Sequence, residues 1–152
     1  MTQALQSLFE HAERQRDDSL AQVQQAEETS RRAHQQWQQL HNYRSDTEAR
    51  APGHGGRAAA IELLHCHRAF AQRLDQALAQ QTAVLQAAEA QLQQQRQLLL
   101  QRETRVAAVR KLMERRQAEQ QRGQARQEQS RSDEAATQRR WRDSAQSRAA
   151  AL

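Results

Sequence analysis

The chain has few of the residues from which globular cores, turns and disulfide frameworks are built. Aromatic residues make up 3% of its 152 residues, and it contains four glycines, one proline and one cysteine. With so few large side chains it cannot fill a thick core, and a narrow apolar stripe encloses no deep ligand pocket. The single cysteine, Cys66, excludes an internal disulfide. Glutamine, arginine and alanine dominate instead, a composition typical of long helices and coiled coils.

Signatures of membrane insertion, secretion and catalysis are also missing. No apolar run approaches the length of a membrane-spanning helix, and no signal peptide follows Met1. We find no nucleophile elbow, phosphate loop or zinc-ligand pair, and the carboxylates are interleaved with arginines as on a solvated coiled coil. We therefore expect a soluble cytoplasmic protein that is not an enzyme and uses no cofactor.

The sequence His65-Cys66-His67 is the one stretch that resembles a metal site. On a helix, alternate residues point about 200° apart, so the two imidazoles face away from each other. We expect no metal here, but a buried or half-buried thiol between two surface imidazoles.

Apolar residues recur at steps of three and four along the first part of the chain, which predicts an amphipathic helix. This seam has polar residues in its middle, at Arg16, Ser19 and Ser30, and we expect loose packing there. The apolar residues of the seam are Leu5, Phe9, Ala12, Val23, Ala26, Ala33, Trp37 and Leu40.

The only strong break is Ala51-Pro52-Gly53-His54-Gly55-Gly56, which predicts a turn. A second helix follows, with a seam that shifts in phase by about three residues near Ala71, as a stammer would produce. The apolar residues of this seam are Ile61, Leu64, Leu74, Leu78, Leu85, Ala88, Leu92, Leu99, Val106, Val109 and Met113.

Folding the chain symmetrically about His54 pairs residues whose numbers sum to about 109, if both helices rise equally. Trp37 and Leu40 then lie near Phe70 and Leu74. The N-terminal end of the first helix then lies opposite residue 107 or so, close to where the second seam ends at Met113. We predict an all-α fold, an antiparallel two-helix coiled-coil hairpin with a longer second helix. It forms one domain, with helix 1 at about 2–50, a turn at 51–57 and helix 2 at about 58–148.

Residues 114–152, which we call the basic overhang, have almost nothing to bury. The net charge of the whole chain is +5, and nine arginines lie in the overhang. A basic helix without an apolar seam is suited to docking on a protein partner, although nucleic acid is an alternative. Against nucleic acid, lysine is nearly absent, acidic residues are interleaved and aromatic residues for base stacking are missing.

Five large side chains, Trp37, Leu40, Tyr43, Phe70 and Leu74, fall near the tip of the hairpin. One interpretation is an aromatic plug that closes the hairpin beside its turn. The other is a partly exposed binding face, for which Tyr43 is the better candidate because aromatic residues are favoured anchors at interfaces.

Three stretches resemble the FliJ family of flagellar type III export proteins. They are Leu40-His41-Asn42-Tyr43-Arg44-Ser45, Phe70-Ala71-Gln72-Arg73-Leu74-Asp75-Gln76-Ala77, and Asp133-Glu134-Ala135-Ala136-Thr137-Gln138-Arg139. The last is similar to an Asp-Glu-x4-Arg pattern of the family. The resemblance implies an antiparallel coiled coil, similar to the rotor stalk of rotary ATPases, that occupies the central pore of a hexameric export ATPase.

The resemblance also implies partners. Its export-gate face matches Gln36, Leu40, Tyr43, Phe70, Leu74 and Ala77, and its ATPase-binding part corresponds to Arg126, Arg131, Asp133, Glu134, Arg139 and Trp141. The chain departs from the family pattern at Thr47, where an aromatic is common, and at Gln81, where a histidine can occur.

We therefore expect a non-enzymatic stalk that links the export ATPase to the cytoplasmic part of the export-gate membrane protein and escorts export chaperones. It would be cytoplasmic, peripheral at the inner face of the cell membrane through its partners, and would bind no nucleic acid. Alternatives are the stalk of a virulence type III secretion system, a generic structural coiled coil or a basic nucleic-acid-binding helical protein.

Overall fold

Two long helices account for the fold. The computed structural model describes residues 2–51 and 58–150, in which α1 spans Thr2–Ala49 (48 residues) and α2 spans Ala58–Ala150 (93 residues). No strand occurs in these ranges. The helices pack antiparallel, so the predicted two-helix coiled coil with a longer second helix is confirmed. Of the predicted turn at 51–57, only Ala51 lies within the described residues.

The chain divides into two compact units. One is Glu10–Arg105, which contains most of α1 and the first half of α2. The other is Met1–Phe9 together with Val106–Leu152. Each has its own packing between the two helices.

In the unit Glu10–Arg105, small residues form the buried part of α1. Because alanine and serine have short side chains, the second helix can approach closely. Ser19 is 0% exposed, so the expectation of loose packing was wrong at this position. The other buried residues of this unit are Ala12, Val23, Ala26, Ala33 and Ala88.

The seam of α2 in this unit runs without a change of phase. Half-buried or buried residues follow one another in steps of three and four from Leu64 to Arg102. The predicted slip near Ala71 was wrong, because His67 and Ala71 occupy seam positions where larger apolar residues were sought. The seam residues are Leu64, His67, Ala71, Leu74, Leu78, Gln81, Leu85, Ala88, Leu92, Gln95, Leu99 and Arg102.

Polar contacts fix the register between the helices. The Trp37 Nε1–H donates to Thr82 Oγ1 over 3.0 Å, and Arg44 Nε donates to Asp75 Oδ1 over 2.6 Å. These partners lie about ten residues further along α2 than the symmetric turn predicted, so that assumption was wrong. By this register, Ala49 at the end of α1 lies opposite residue 70 or so, and the first residues of α2 extend past it.

The C-terminal end of α1 is closed by hydrogen bonds to its last carbonyl groups. The Arg50 and Ala51 amides donate to Asp46 O and Glu48 O, over 3.1 and 3.2 Å. Thr47 O lies 2.8 Å from His67 Nε2, which must carry the proton to bond a carbonyl. His67 thus supplies from α2 a donor that a helix end otherwise lacks.

The neighbours of His67 face solvent. His65 is exposed and so is the Cys66 thiol, which corrects the expectation of a buried or half-buried cysteine, while His67, expected at the surface, is half-buried in the seam. Within residues 2–51 and 58–150, no group of three His, Cys, Asp or Glu side chains is placed to hold a metal ion.

In the other unit, the start of α1 packs on the middle of α2. Val106 and Val109 are buried, and the Phe9 ring lies 5.6 Å from the guanidinium carbon of Arg110. The seam ends at Met113, as predicted, since every described side chain from Glu114 to Ala150 is exposed. Neither helix contains, in its described part, a segment long and apolar enough to cross a membrane.

Ser19 offers a test of the packing. Its hydroxyl is fully buried and has no hydrogen-bond partner. Removing an unpaired buried hydroxyl while keeping a small side chain avoids a desolvation cost of about 1–3 kcal/mol. We expect Ser19→Ala to raise the free energy of unfolding by about 1 kcal/mol, measured by urea denaturation. Ser19→Leu should instead lower it by about 1–3 kcal/mol through overpacking. A stabilising Leu would show that the helices are not closely packed here.

Candidate partner-binding surfaces

The six residues predicted to bind the export gate fall into two groups. Leu40 and Leu74 are half-buried seam residues of α1 and α2. Gln36 and Tyr43 lie one residue before the seam positions Trp37 and Arg44 of α1. Phe70 and Ala77 precede the seam positions Ala71 and Leu78 of α2 in the same way. The second group therefore flanks the seam, while the first forms part of it.

The four flanking residues lie on the same side of the hairpin. On the opposite side, Arg96 Nη2 donates to Glu27 Oε1 over 2.8 Å, and each of these residues comes one after a seam position. In an antiparallel pair, positions that follow the seam face each other along one side. The positions that precede it must line the other side, where Gln36, Tyr43, Phe70 and Ala77 are found.

Large apolar side chains on this side are exposed. Tyr43 is 63% exposed and Phe70 is 53% exposed. Two further residues extend the row along α2, with Leu63 at 60% and Val84 at 51%. We call these six residues the outer stripe, composed of Gln36, Tyr43, Leu63, Phe70, Ala77 and Val84.

Leu63 and Val84 were missed by the sequence reasoning. The signal that could have found them is their spacing, because Leu63, Phe70, Ala77 and Val84 follow one another at intervals of seven. Residues seven apart stay on one side of a supercoiled helix. The phase slip expected near Ala71 hid this repeat.

Of the two interpretations of the residues near the tip, the partly exposed face fits Tyr43 and Phe70, which do not join the half-buried Trp37 in a plug. The Trp37 ring stacks on His41, with centroids 5.0 Å apart and an angle of 8°, and more loosely on His34 at 6.3 Å. Both histidines are on the side opposite the outer stripe, whereas Tyr43 and Phe70 are on it. The aromatic residues near the tip are thus divided between two sides of the hairpin.

Arg44 connects the tip region to α2. Its guanidinium bonds Asp75 at 2.6 Å and Glu48 at 2.7 Å. The hydrogen bond to Asp75 raises the pKa of Arg44 above its ordinary value, and the nearby Glu48 acts in the same direction. Arg44 thus occupies a seam position, where an apolar side chain is usual, and it lies next to Tyr43 in the sequence.

The two departures from the family pattern lie in the seam. The Thr47 hydroxyl donates to Tyr43 O over 2.7 Å. Gln81 Nε2 donates to Ala33 O over 3.1 Å and to Gln36 Oε1 over 3.2 Å. Both side chains are half-buried and bond within the hairpin, Thr47 to the backbone of its own helix and Gln81 to α1, where it also holds the Gln36 side chain.

The basic overhang is exposed throughout its described part, 114–150, including Trp141. Local hydrogen bonds occur along it, such as Thr137 Oγ1 to Asp133 O at 2.8 Å and Ser144 Oγ to Trp141 O at 2.9 Å. Ser130 Oγ approaches Glu134 Oε1 at 3.5 Å. The six residues predicted to bind the ATPase, Arg126, Arg131, Asp133, Glu134, Arg139 and Trp141, are therefore all solvent-facing on one continuous helix.

A shallow cleft lies between the helices in the unit Glu10–Arg105. Its volume is about 250 Å³, and Gln95 Oε1 is buried without a hydrogen-bond partner. The lining side chains are neutral, which provides neither a general acid nor a general base. They are Gln22, Gln25, Ala26, Thr29, Ala88, Gln91 and Gln95.

Fold and surfaces together define a class: a long antiparallel two-helix coiled coil whose second helix continues as a basic segment without a seam. The sequence matches the family of the flagellar FliJ protein over residues 1–145. The chain belongs to this family and is a coiled-coil protein related to flagellar protein export. No curated protein and no solved structure matches it.

Stability measurements can separate the two groups of predicted gate residues. We expect Leu40→Ala and Leu74→Ala each to lower the free energy of unfolding by about 1–3 kcal/mol, because half-buried seam contacts are lost. Tyr43→Ala and Phe70→Ala should change it by about 0.5 kcal/mol or less, as surface substitutions do. Thermal denaturation followed by circular dichroism measures all four. Equal losses for all four variants would contradict the division into seam and surface.

Proposed function

We propose that the chain is a stalk that links the hexameric export ATPase to the cytoplasmic part of the export-gate membrane protein. The outer stripe would contact the gate, and the basic overhang would contact the ATPase. The observation that carries the proposal is the outer stripe, in which Tyr43, Leu63, Phe70 and Val84 expose large apolar side chains beside the seam. Soluble proteins rarely expose such rows unless they bind something.

The gate contact is proposed for four of the six predicted residues directly and for two indirectly. Gln36, Tyr43 and Phe70 are exposed and Ala77 is half-buried beside them, with Tyr43 and Phe70 as the aromatic anchors. Leu40 and Leu74 would act through the seam, by holding the two helices at the spacing that the outer residues require.

The ATPase contact is proposed for the overhang because its described side chains are all exposed and the apolar seam has ended before it begins. Arg126, Arg131 and Arg139 would pair with acidic groups, while Asp133 and Glu134 would pair with basic groups. Trp141 is the one large apolar side chain available as an anchor.

In this role the chain is not an enzyme and needs no cofactor. It would also escort export chaperones, and it would lie in the cytoplasm at the inner face of the cell membrane, held there by its partners. No nucleic acid is involved.

The gate contact can be tested by capture. We expect the double variant Tyr43→Ala/Phe70→Ala to reduce capture of the gate's cytoplasmic part by at least about tenfold, because two exposed anchors are worth a few kcal/mol together. Leu100→Ala is the matched control, since Leu100 is 63% exposed on α2 but lies outside the outer stripe. Equal capture by the double variant and the control would argue against the gate contact.

The overhang can be tested by truncation. A chain that ends at Met113 keeps the whole seam, so its helical hairpin should remain folded. We expect it to lose stimulation of ATP hydrolysis by the export ATPase while it still captures the gate. The single substitution Trp141→Ala, which removes one proposed contact of the overhang, should weaken stimulation without abolishing it. Full stimulation by the truncated chain would refute this part of the proposal.

A further inference from the structure

We infer that, within the unit Glu10–Arg105, α1 slides along α2 between two registers one heptad apart, a distance of about 10.5 Å. The register described above is the more populated one. In the second register α1 has moved toward the start of α2. This inference concerns the chain alone and holds whichever partners it binds.

The contacts between the helices define which seam residues lie at the same level. Trp37 bonds Thr82 and Arg44 bonds Asp75, so residues at one level have numbers that add up to about 118 or 119. A slide of one heptad toward the start of α2 lowers this value to about 111. Each seam residue of α1 then faces the α2 seam residue seven positions earlier.

Two arginines are level with each other in the observed register. Arg16 and Arg102 both occupy seam positions and both are half-buried. Their guanidinium groups turn in different directions, Arg16 to Asp17 Oδ1 at 2.8 Å and Arg102 to Gln15 O at 2.7 Å. Like charges at facing positions repel each other, so this level opposes the observed register.

The neighbouring level of the same kind leaves a polar group unmatched. It pairs Val23, which is buried and has no hydrogen-bonding side chain, with Gln95, whose Oε1 is buried without a partner. A buried acceptor that loses its hydrogen bonds to water is destabilising. The cleft of about 250 Å³ lies beside this level, so the packing is incomplete as well.

The slide improves both levels. Arg16 becomes level with Gln95, whose Oε1 can then accept a charge-assisted hydrogen bond from the guanidinium. Arg16 also moves away from Arg102, and Val23 becomes level with the small residue Ala88. The two defects of the observed register are thus the two features that the second register repairs.

The apolar contacts of the seam are equivalent in the two registers. Ala33 is level with Leu85 in the observed register and with Leu78 in the second. Ala26 likewise exchanges Leu92 for Leu85. A small residue faces a leucine at these levels before and after the slide, so the volume to be filled stays the same.

The start of α2 provides the length of helix onto which α1 moves. No described residue of α1 is level with Leu64, although Leu64 is a seam residue. Ile61 nearby is 58% exposed. After the slide Thr47 becomes level with Leu64, so a seam position that lacks a described partner gains one.

Polar contacts keep the second register in the minority. The hydrogen bond of Trp37 to Thr82 and the ion pair of Arg44 with Asp75 are both lost in the slide. Two states that differ by a few such contacts coexist, with the minor one at about 0.1–10%.

The slide also changes the outer stripe. Tyr43 is level with residue 75 or so in the observed register and with residue 68 or so in the second, which is between Leu63 and Phe70. The hairpin therefore presents two arrangements of its exposed apolar side chains. A ligand that binds one arrangement better shifts the register toward it.

The test is disulfide trapping in the full chain, with Cys66→Ser to remove the only native thiol. Ala33→Cys is combined with one of three matched leucine substitutions. Leu85→Cys reports the observed register, Leu78→Cys the second, and Leu92→Cys a slide in the opposite direction. Cysteines with Cα atoms more than about 7 Å apart do not bridge, and one heptad separates them by about 10.5 Å along the axis.

We expect the pair 33/85 to bridge fastest, and the pair 33/78 to bridge at least about tenfold faster than the control pair 33/92. Non-reducing gels measure the rates and separate bridges within one chain from those between two chains. Equal rates for 33/78 and 33/92 would overturn the inference, because general opening of the hairpin produces both bridges alike.

Gln95→Leu tests the cause of the slide. It matches Val23 in the observed register and removes the acceptor that Arg16 gains in the second. We expect it to slow bridging of 33/78 at least about fivefold while the rate of 33/85, which reports an intact hairpin, stays unchanged. If 33/78 bridges as fast as before, the polar mismatch does not drive the slide and the inference is wrong.

Discussion

The close approach of the two helices through small seam residues is the constraint on which the other features depend. Ala12, Ser19, Ala26 and Ala33 leave little space between α1 and α2, and their contacts repeat in steps of three and four. Because this face of each helix packs against the other helix, it also fixes which residues lie on either side of the seam. Glu27 and Arg96 face each other on one side, and the outer stripe must lie on the other.

The main features of the fold could be predicted from the sequence because they depend on periodicity and on one break. The seam of α1, its continuation to Leu40 and the end of the second seam at Met113 all follow from the spacing of apolar residues. The register could not be predicted, since it depends on side-chain pairs such as Trp37 with Thr82 that no spacing rule identifies. The pairing predicted from a symmetric turn was wrong because the first residues of α2 extend past the end of α1 and have no α1 residue opposite them.

The candidate site was predictable only in part. Tyr43 was identified from its aromatic character and Phe70 from its resemblance to the family pattern, and both are exposed. Leu63 and Val84 belong to the same row, but they can be identified only if the seam positions of α2 are assigned correctly. Two of those positions are occupied by His67 and Ala71 and not by larger apolar residues, so the assignment was missed. A histidine whose ring nitrogen bonds a helix-end carbonyl has no distinct sequence signature, so the phase was lost at that point.

The small seam residues have a mechanical consequence. Alanines recur along the seam of α1, so a lengthwise slide of one heptad, about 10.5 Å, would replace many apolar contacts with similar ones. The contacts that distinguish one position from the next are polar: Trp37 with Thr82, Arg44 with Asp75 and Glu27 with Arg96. Polar pairs of this kind, together with Gln81 and Gln36, set the lengthwise register of the two helices more than the apolar seam does.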